Sequence, residues 1–371
     1  MTLTSVGCQS WWGFTAPNNF LKITSHVLKL SIVYIPVSAI LYAYLNYNVT
    51  PFETLGHILC IDNNVCIFFQ IKIFTTYFCS FKQVIKNFFE KYHLFNCLND
   101  NEYNRKILLK VEKISKIIAI SMPTATCLDA ALWLLVTLIY NIKNRDVVTL
   151  NKTIQFQSSF YLLMPFDYLY DFNWMIVYYL LNVIHVTIYA CFVSIFEVIT
   201  YITIFHLIGH IIILKNEIKN IFKDNLPEHE VKARIVEIIK YHNFIIKAFK
   251  DVQSAFGLSV SSSYLNNLLT NSLLMYLMIY SVTFRLTFYI ISLNIITMSV
   301  CDLQCYDLSE TLYLVPWEDM SISNQKCILI ILAQMQPPLI FIAAGGLIAG
   351  IQPLIFVSTF VISIMSKALL C

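Results

Sequence analysis

Residues 174–208 read WMIVYYLLNVIHVTIYACFVSIFEVITYITIFHLI, and Glu197 is the only Asp, Glu, Lys or Arg among them. A helix that crosses the hydrocarbon core of a bilayer needs about 20 predominantly apolar residues, because its backbone amides must find their partners within the segment. The stretch is longer than that and almost free of charge. It therefore predicts a transmembrane helix.

The rest of the chain has the composition of a membrane protein with several spans. Of its 371 residues, 58% are hydrophobic and 13% are charged, whereas a soluble protein averages about 25% charged residues. So little polar surface would not cover a globule in water. The net charge is only +3 and the basic residues are not gathered in a single segment, so we expect no nucleic acid partner. The eleven cysteines are scattered, mostly within apolar runs, and do not indicate a disulfide framework.

Seven apolar runs are long enough to cross a bilayer. They lie near 27–46, 57–81, 117–141, 174–208, 259–281, 283–301 and 338–366. The fifth and sixth runs are crowded, because Arg285 alone interrupts residues 264–300. Either two short helices meet there in a hairpin, or one long tilted helix replaces them. The expected fold is all-α, a polytopic membrane protein with seven transmembrane helices.

Lys and Arg concentrate in two of the connections between these spans, and basic connections face the cytosol. The first connection has none, and the third has Lys143, Arg145 and Lys152. The second connection holds Lys82, Lys86, Lys91, Arg105, Lys106, Lys110, Lys113 and Lys116. The fourth holds Lys215, Lys219, Lys223, Lys232, Arg234, Lys240, Lys247 and Lys250. This asymmetry predicts a cytoplasmic N-terminus and, after seven crossings, an extracellular C-terminus.

Two Asn-x-Thr sequons agree with this orientation, because glycosylation acceptors are used on the luminal face. Asn48 lies in the first connection and Asn151 in the third, so both would be extracellular. A G-protein-coupled receptor has its N-terminus outside instead. The chain also lacks the Asp-Arg-Tyr and Asn-Pro-x-x-Tyr motifs of that class. We therefore do not expect a G-protein-coupled receptor.

Several short motifs, taken in order, resemble the insect odorant receptor family. One of them, Met164-Pro165-Phe166-Asp167, precedes the fourth span. The others fall in the C-terminal third: Asp307-Leu308-Ser309-Glu310, Tyr313, Pro316-Trp317, Gln336-Pro337-Pro338-Leu339, Ala344-Gly345-Gly346, Phe356 and Ser366. Their order and spacing together are typical of the family. In length and in its modest fourth connection, the chain looks like one of the family's ligand-specific tuning subunits.

The resemblance implies an odorant receptor that is part of an odour-gated, non-selective cation channel. The chain would assemble as a heterotetramer with the family's co-receptor, among the membrane lipids of the plasma membrane of an olfactory sensory neuron dendrite. Residues 1–300 would form the odorant-binding bundle of helices one to six with its cytoplasmic extensions. Residues 301–371 would form a cytoplasmic anchor segment and the pore-lining seventh helix, near 338–366.

The seventh span carries a polar stripe of the kind that a pore needs. At about 100° per residue, Gly345, Gln352, Thr359 and Ser363 fall on one face of the helix. Phe356 lies close to the same stripe and is a candidate for a hydrophobic constriction. The alternative is that small and hydroxyl residues simply let membrane helices pack closely.

A site for small volatile ligands should be an aromatic and aliphatic cavity with one or two hydrogen-bonding groups, because such ligands carry few polar atoms. The topology places candidates in the extracellular halves of spans two, three, four and six: Phe68, Phe69, Asp129, Trp133, Tyr178, Asn182, His185, Phe288, Tyr289 and Ser292. Those on the fourth span share one helix face, at spacings of four and three. The alternative is that the aromatic residues only pack the bundle.

Charge inside a membrane is costly enough to hint at function. Asp129 is expected to make a hydrogen bond, either to a ligand or in packing. Glu197 is expected to pair with a neighbouring helix or to face a water-filled vestibule. The amphipathic run 231–252 predicts a cytoplasmic helix of the assembly anchor, with a helix lying on the membrane surface as the alternative.

No motif of the sequence predicts an enzyme, a metal site or a cofactor. His206 and His210 have the i, i+4 spacing of metal ligands, but Leu207 stands where a zinc protease would carry Glu, and no third ligand is in view. Two other functions are alternatives. A gustatory receptor of the same superfamily would carry a Thr-Tyr and Gln-Phe signature in its last span. A secondary transporter would show duplicated halves. The sequence has neither feature.

Overall fold

The computed structural model describes residues 34–35, 37–42, 44–45, 78–97, 101–152, 154–221, 227–278, 308–336 and 359. Only the backbone is described at residues 78–80, 151, 188–189, 192–193, 259 and 261–278. Within these ranges the regular structure is helical and contains no strand.

Six α-helices are numbered here in chain order. Helix α1 spans Phe78–Asn87 and passes directly into a π-helical turn, Phe88–Tyr92, and a 3-10 turn, Leu94–Cys97. Helix α2 spans Glu102–Lys143, and α3 spans Arg145–Asn151. Helix α4 spans Phe172–Lys219, and α5 spans Glu228–Met278. Residues 308–313 are helical, a 3-10 turn follows at Trp317–Asp319, and α6 spans Ile322–Met335.

Polar side chains fix where the two long central helices begin. Asn101 precedes α2, and its side chain accepts a hydrogen bond from the Tyr103 amide at 3.0 Å. Asp171 precedes α4 and accepts from the amides of Asn173 and Trp174 at 2.8 and 3.4 Å. Such side chains satisfy amides that have no partner within the first turn of a helix.

The main core lies where α1, the second half of α4, α5 and α6 meet. Its buried side chains include Phe81, Leu214, Ile245, Phe256, Leu312 and Ile328. The rings of Phe81 and Phe256 meet edge to face, with centroids 4.7 Å apart. A smaller cluster joins α2 to α4 through Ile118, Met122 and Tyr201.

Helix α4 passes the 3-10 turn so closely that a side chain at one position would displace the Leu94 side chain. A Cβ atom on Gly209 would lie 2.5 Å from Leu94 Cδ1 and 3.1 Å from Val111 Cγ2. Glycine at this position therefore lets α4 contact both the turn and α2.

Two segments of the described helices are long and apolar enough to cross a bilayer, Glu102–Lys143 and Ser194–Lys219. The shorter apolar segment Phe172–Thr187 precedes the second of these on α4. A core helix of a soluble protein meets the same criterion when it is buried. The position of α2 differs from that of a core helix, because Leu128, Leu135 and other large apolar side chains along it are exposed.

The helices extend beyond several of the expected spans. The third expected span, 117–141, lies within α2, and the fourth, 174–208, lies within α4. Helix α5 joins the amphipathic run 231–252 and most of the fifth span, as far as Met278, in one continuous helix. The sixth and seventh expected spans lie outside the described residues, apart from Thr359, and so do half of the first span and most of the second.

Candidate functional site

Residues 154–171, here called the connecting loop, follow α3 and fold back between the C-terminal end of α2 and the N-terminal part of α4. The loop is held to α2 by a reciprocal pair of bonds: the Asn141 amide nitrogen donates to the Gln157 carbonyl at 2.7 Å, and the Gln157 amide donates to Asn141 Oδ1 at 2.8 Å. Within the loop, the Phe156 amide donates to the Leu169 carbonyl at 2.9 Å. These bonds give the loop a defined position.

The centre of the connecting loop contacts both long helices. The Asn182 amide nitrogen of α4 donates to Ser158 Oγ at 2.9 Å. The hydroxyls of Ser159 and of Thr137 on α2 lie 3.3 Å apart. The helices also contact each other directly, because the Tyr179 hydroxyl donates to the Leu134 carbonyl at 3.4 Å. The loop thus occupies the space between one face of α2 and one face of α4.

Aromatic rings fill the space between the loop and α4. The Tyr178 hydroxyl donates to the Phe160 carbonyl at 2.8 Å, and its ring stacks on Tyr168 with centroids 3.9 Å apart. The Phe160 ring meets His185 edge to face at 5.8 Å. Tyr178 is buried to 2% exposure and Asn182 to 4%. Aromatic rings therefore line the contact between α4 and the loop, and the Tyr178 hydroxyl and the Asn182 amide nitrogen already have partners.

The loop also holds the first described helical residues, 34–35, 37–42 and 44–45. The Tyr34 hydroxyl donates to the Leu163 carbonyl at 2.7 Å. The Leu163 amide donates to Ser38 Oγ at 2.7 Å, and this hydroxyl lies 3.1 Å from the Leu163 carbonyl. The rings of Tyr42 and Tyr161 stack at 5.5 Å. Three apolar helical segments therefore converge on one loop.

The structure brings some of the sequence-predicted ligand residues together. Tyr178, Asn182 and His185 lie on one face of α4 and meet the connecting loop. Trp133 and Asp129 are half-buried on α2, and Trp133 lies one turn before Thr137, which contacts the loop. The remaining ligand candidates lie outside the described residues: Phe68, Phe69, Phe288, Tyr289 and Ser292.

The pore and glycosylation candidates are described only in part. Thr359 is helical and exposed. Asn151 is the last residue of α3, and Lys152 after it has a left-handed backbone with φ of 49°. The other candidates lie outside the described residues: Asn48, Gly345, Gln352, Phe356 and Ser363.

Ser158 and Phe160, which contact the α4 face, are not among the ligand-binding residues predicted from the sequence. The motif Met164-Pro165-Phe166-Asp167 marks the same connection, but it gives no information on which loop residues face a helix. Loop positions have no hydrophobic period that would assign them to one side. A signal does exist nearby in Asn141, a polar residue near the end of an apolar helix, since such a residue needs a partner when it is buried.

A second polar cluster lies away from this loop, where the 3-10 turn meets α4 and α5. One ring nitrogen of His210 lies 2.8 Å from the Tyr241 hydroxyl, and the other lies 2.8 Å from the Tyr92 carbonyl. His206 Nδ1 accepts from the Leu94 amide at 3.3 Å. Both histidines, which have the spacing of metal ligands, therefore bond to protein groups. Among the described residues no three His, Cys, Asp or Glu side chains are grouped so that they could hold a metal ion.

Tyr92 extends this cluster to a charged group on α5. Its hydroxyl donates to Asp251 Oδ2 at 2.5 Å. Burial, followed by the bond to the Asp251 carboxylate, raises the pKa of Tyr92 above its usual value. The hydroxyl therefore stays protonated and continues to donate. The cluster joins the turn after α1 to both α4 and α5, and so has the character of a structural link.

Comparisons with known proteins agree with this architecture. A family model described as "7tm Odorant receptor" matches residues 63–359. The structure is similar to that of the insect olfactory receptor OR5 from Machilis hrabei, with a TM-score of 0.74 at 15% identity, over 99% of this chain and 95% of that one. For the same receptor in complex with eugenol, the TM-score is 0.71 at 15% identity, over 97% and 94% of the two chains.

A search of curated protein sequences gives no match. At 15% identity the solved structures show the fold, and the family model covers most of the chain. The fold is therefore the all-helical, seven-transmembrane fold that the sequence predicts. The family is one of membrane proteins that bind odorants. The chain belongs to the seven-transmembrane odorant receptor family.

Proposed function

We propose that this chain is the ligand-specific subunit of an odorant-gated, non-selective cation channel that it forms with an insect odorant co-receptor. The family match supports an odorant receptor over both a gustatory receptor and a secondary transporter. The chain would act in the plasma membrane of an olfactory sensory neuron dendrite. It would bind a small volatile molecule and would catalyse no reaction.

The observation that supports this proposal best is that α2, α4 and the connecting loop meet at one place. Three ligand candidates on α4 share one face, and the loop residue Phe160 lies against that face. A small apolar molecule gains most from such surface, because burial of apolar area is the main favourable term available to it. The related receptor from Machilis hrabei has been solved in complex with eugenol, a small molecule.

The hydrogen bonds at this face favour a ligand with few polar atoms. The Tyr178 hydroxyl and the Asn182 amide nitrogen are bonded to the connecting loop. A ligand that took either partner would break an existing bond, and a net hydrogen bond is worth about 0.5–1.5 kcal/mol. We therefore assign shape selection to Trp133, Phe160 and His185. The candidates on spans two and six would complete the cavity.

The remaining assignments follow from the proposed orientation. The N-terminus would be cytoplasmic, the C-terminus extracellular, and Asn48 and Asn151 would carry glycans. Residues 1–300 would form the binding bundle and 301–371 the anchor and the pore helix. Gly345, Gln352, Thr359 and Ser363 would line the pore, with Phe356 as the constriction.

The test is whole-cell current in cells that express this chain with and without an insect odorant co-receptor, challenged with a panel of volatiles. We expect an odour-evoked cation current in the co-expressing cells only. Cells with the co-receptor alone serve as the control. An equal response in those control cells, or no response to any volatile despite surface expression of both chains, would contradict the proposed subunit role.

A further inference from the structure

One continuous exposed stripe runs along α2, and its chemistry changes between Lys116 and Ile117. On the N-terminal side the exposed side chains are mainly basic: Arg105, Lys106, Lys110, Lys113 and Lys116. On the other side the exposed side chains are apolar, and Ile117, Ile120 and Leu128 are 56%, 70% and 52% exposed. At about 100° per residue, positions 110, 113, 116, 117 and 120 fall within an arc of about 120°. The lysines and the isoleucines therefore share one helix face.

The opposite face of α2 fixes this register. It carries a run of buried residues at helical spacing: Asn104, Leu108, Val111, Ser115, Ile118 and Met122. Two of them, Ile118 and Met122, pack with Tyr201 of α4. Rotating α2 to hide the lysines would expose this buried face. The basic stripe therefore points away from the bundle.

The three lysines nearest the apolar boundary have no counter-ion in the described part of the chain. Lys106 pairs with Glu102 at 2.8 Å, one turn away. Lys110, Lys113 and Lys116 form no ion pair with any residue that the structure describes. Their charges are therefore available to an external anion.

We propose that Lys110, Lys113 and Lys116 bind the anionic headgroups of phospholipids in the cytoplasmic leaflet, while Ile117 and Ile120 contact the acyl chains. The leaflet follows from the proposed orientation, on which this part of the inference rests. Between Lys110 and Lys116 the helix rises about 9 Å. This nearly matches the headgroup layer, about 5–7 Å thick on each side of the hydrocarbon core, and lysine side chains extend towards the interface to cover the rest.

Charge complementarity favours an anionic phospholipid as the ligand of these three lysines. The cytoplasmic leaflet carries the anionic lipids, and each Lys close to it strengthens attraction by about fivefold. The effect falls off within a Debye length of about 8 Å at physiological salt. Lys106 lies about 15 Å from Lys116 along the helix and is already paired, so it is not part of the site.

The test measures lipid binding to the purified full-length chain in neutral detergent. The probes are dioctanoyl phosphatidylserine, dioctanoyl phosphatidylcholine and glycerophosphoserine, which is the same headgroup without acyl chains. We expect phosphatidylserine to bind at least tenfold more tightly than the other two, with affinity that falls as salt rises. Equal affinity for the two lipids would overturn the proposal, and equal affinity for glycerophosphoserine would reassign the site to a free phosphate compound.

Two triple variants distinguish binding at these three lysines from a general effect of the positive charge of the protein. Lys110→Gln, Lys113→Gln and Lys116→Gln together should remove at least nine-tenths of the preference for phosphatidylserine. The matched control, Lys232→Gln, Lys240→Gln and Lys247→Gln, removes the same charge from exposed positions of α5 and should leave the preference unchanged. An equal loss in both would overturn the site. The single variant Lys113→Gln repeats the test with one exposed change, and thermal unfolding of each variant confirms that it is folded.

This binding assay needs no odorant, co-receptor or current, so its failure is distinct from failure of the proposed channel. The leaflet is tested separately, with an epitope tag at the N-terminus of the full chain in intact cells. Staining only after permeabilisation is expected and supports the cytoplasmic leaflet. Staining of intact cells would overturn the leaflet assignment.

Discussion

At the scale of single residues, the informative position is the contact between Phe160 and His185, whose ring centroids lie 5.8 Å apart. Replacing His185 by Ala removes the ring that Phe160 meets and enlarges the space between loop and helix. We expect His185→Ala and Trp133→Ala to change the order of preference among odorants and to increase the response to larger ligands. The reason is that one methylene group in an apolar pocket changes binding by about 1–3 kcal/mol. The measurement is the dose–response of odour-evoked current for a series of homologous volatiles.

A matched control lies on the same helix. Leu180 is 57% exposed and lies about 200° around the helix from Tyr178, so Leu180→Ala should leave the relative responses to different odorants unchanged. If His185→Ala and Trp133→Ala preserve the full order of responses, as Leu180→Ala should, then the ligand does not bind at this face.

At the scale of elements, burial of two histidines makes the region around α5 sensitive to acid. Burial lowers the pKa of His242 on α5. Burial also lowers the pKa of His93 beside the 3-10 turn, and the Glu112 carboxylate offsets this in part. In the unfolded chain a histidine titrates near 6.5, so below that pH the unfolded state binds more protons than the folded state. The free energy of unfolding therefore has its full value above about pH 6.5 and falls as the pH decreases below it.

We expect the thermal midpoint of the purified chain to fall between pH 7.5 and pH 5.5, and to fall less in His242→Gln than in the parent. The limiting slope is about 1.4 kcal/mol per pH unit for each histidine. The control is His229→Gln, because the side chain of His229 is 80% exposed. An undiminished fall in His242→Gln would show that His242 does not contribute to the acid sensitivity.

Hydrophobic pattern predicts the elements better than it predicts their ends or their contacts. The run 174–208 identifies α4, but the helix continues to Lys219 because its last turns pack in the main core rather than in lipid. Likewise, Glu102–Lys143 begins well before the apolar run 117–141, since Leu108 and Val111 are buried on one side while the other side is basic. The length of an apolar run is set by the thickness of the bilayer, whereas the length of the helix also depends on packing outside the bilayer.

The candidate site could be predicted only where it lies on a helix. Tyr178, Asn182 and His185 share a face because helical spacing requires it. Ser158 and Phe160 reach the same face through contacts between distant positions, such as the bonds of Asn141 to Gln157. Local periodicity has no information on such contacts, because a loop takes its position from the groups that satisfy its backbone.

At the scale of the whole molecule, the question is which helix lines the ion path, and the polar stripe of the seventh span gives a direct prediction. In cells that express this chain together with an insect odorant co-receptor, we expect Gln352→Cys and Thr359→Cys to make the odour-evoked current sensitive to water-soluble thiol reagents. The reason is that a thiol in a water-filled path ionises and reacts, whereas a thiol in lipid stays protonated. Leu354→Cys on the opposite face is the control, and the parent chain corrects for its eleven native cysteines. Equal block at Leu354→Cys and Gln352→Cys, or block at neither Gln352→Cys nor Thr359→Cys, would contradict a pore along this stripe and favour close helix packing as its role.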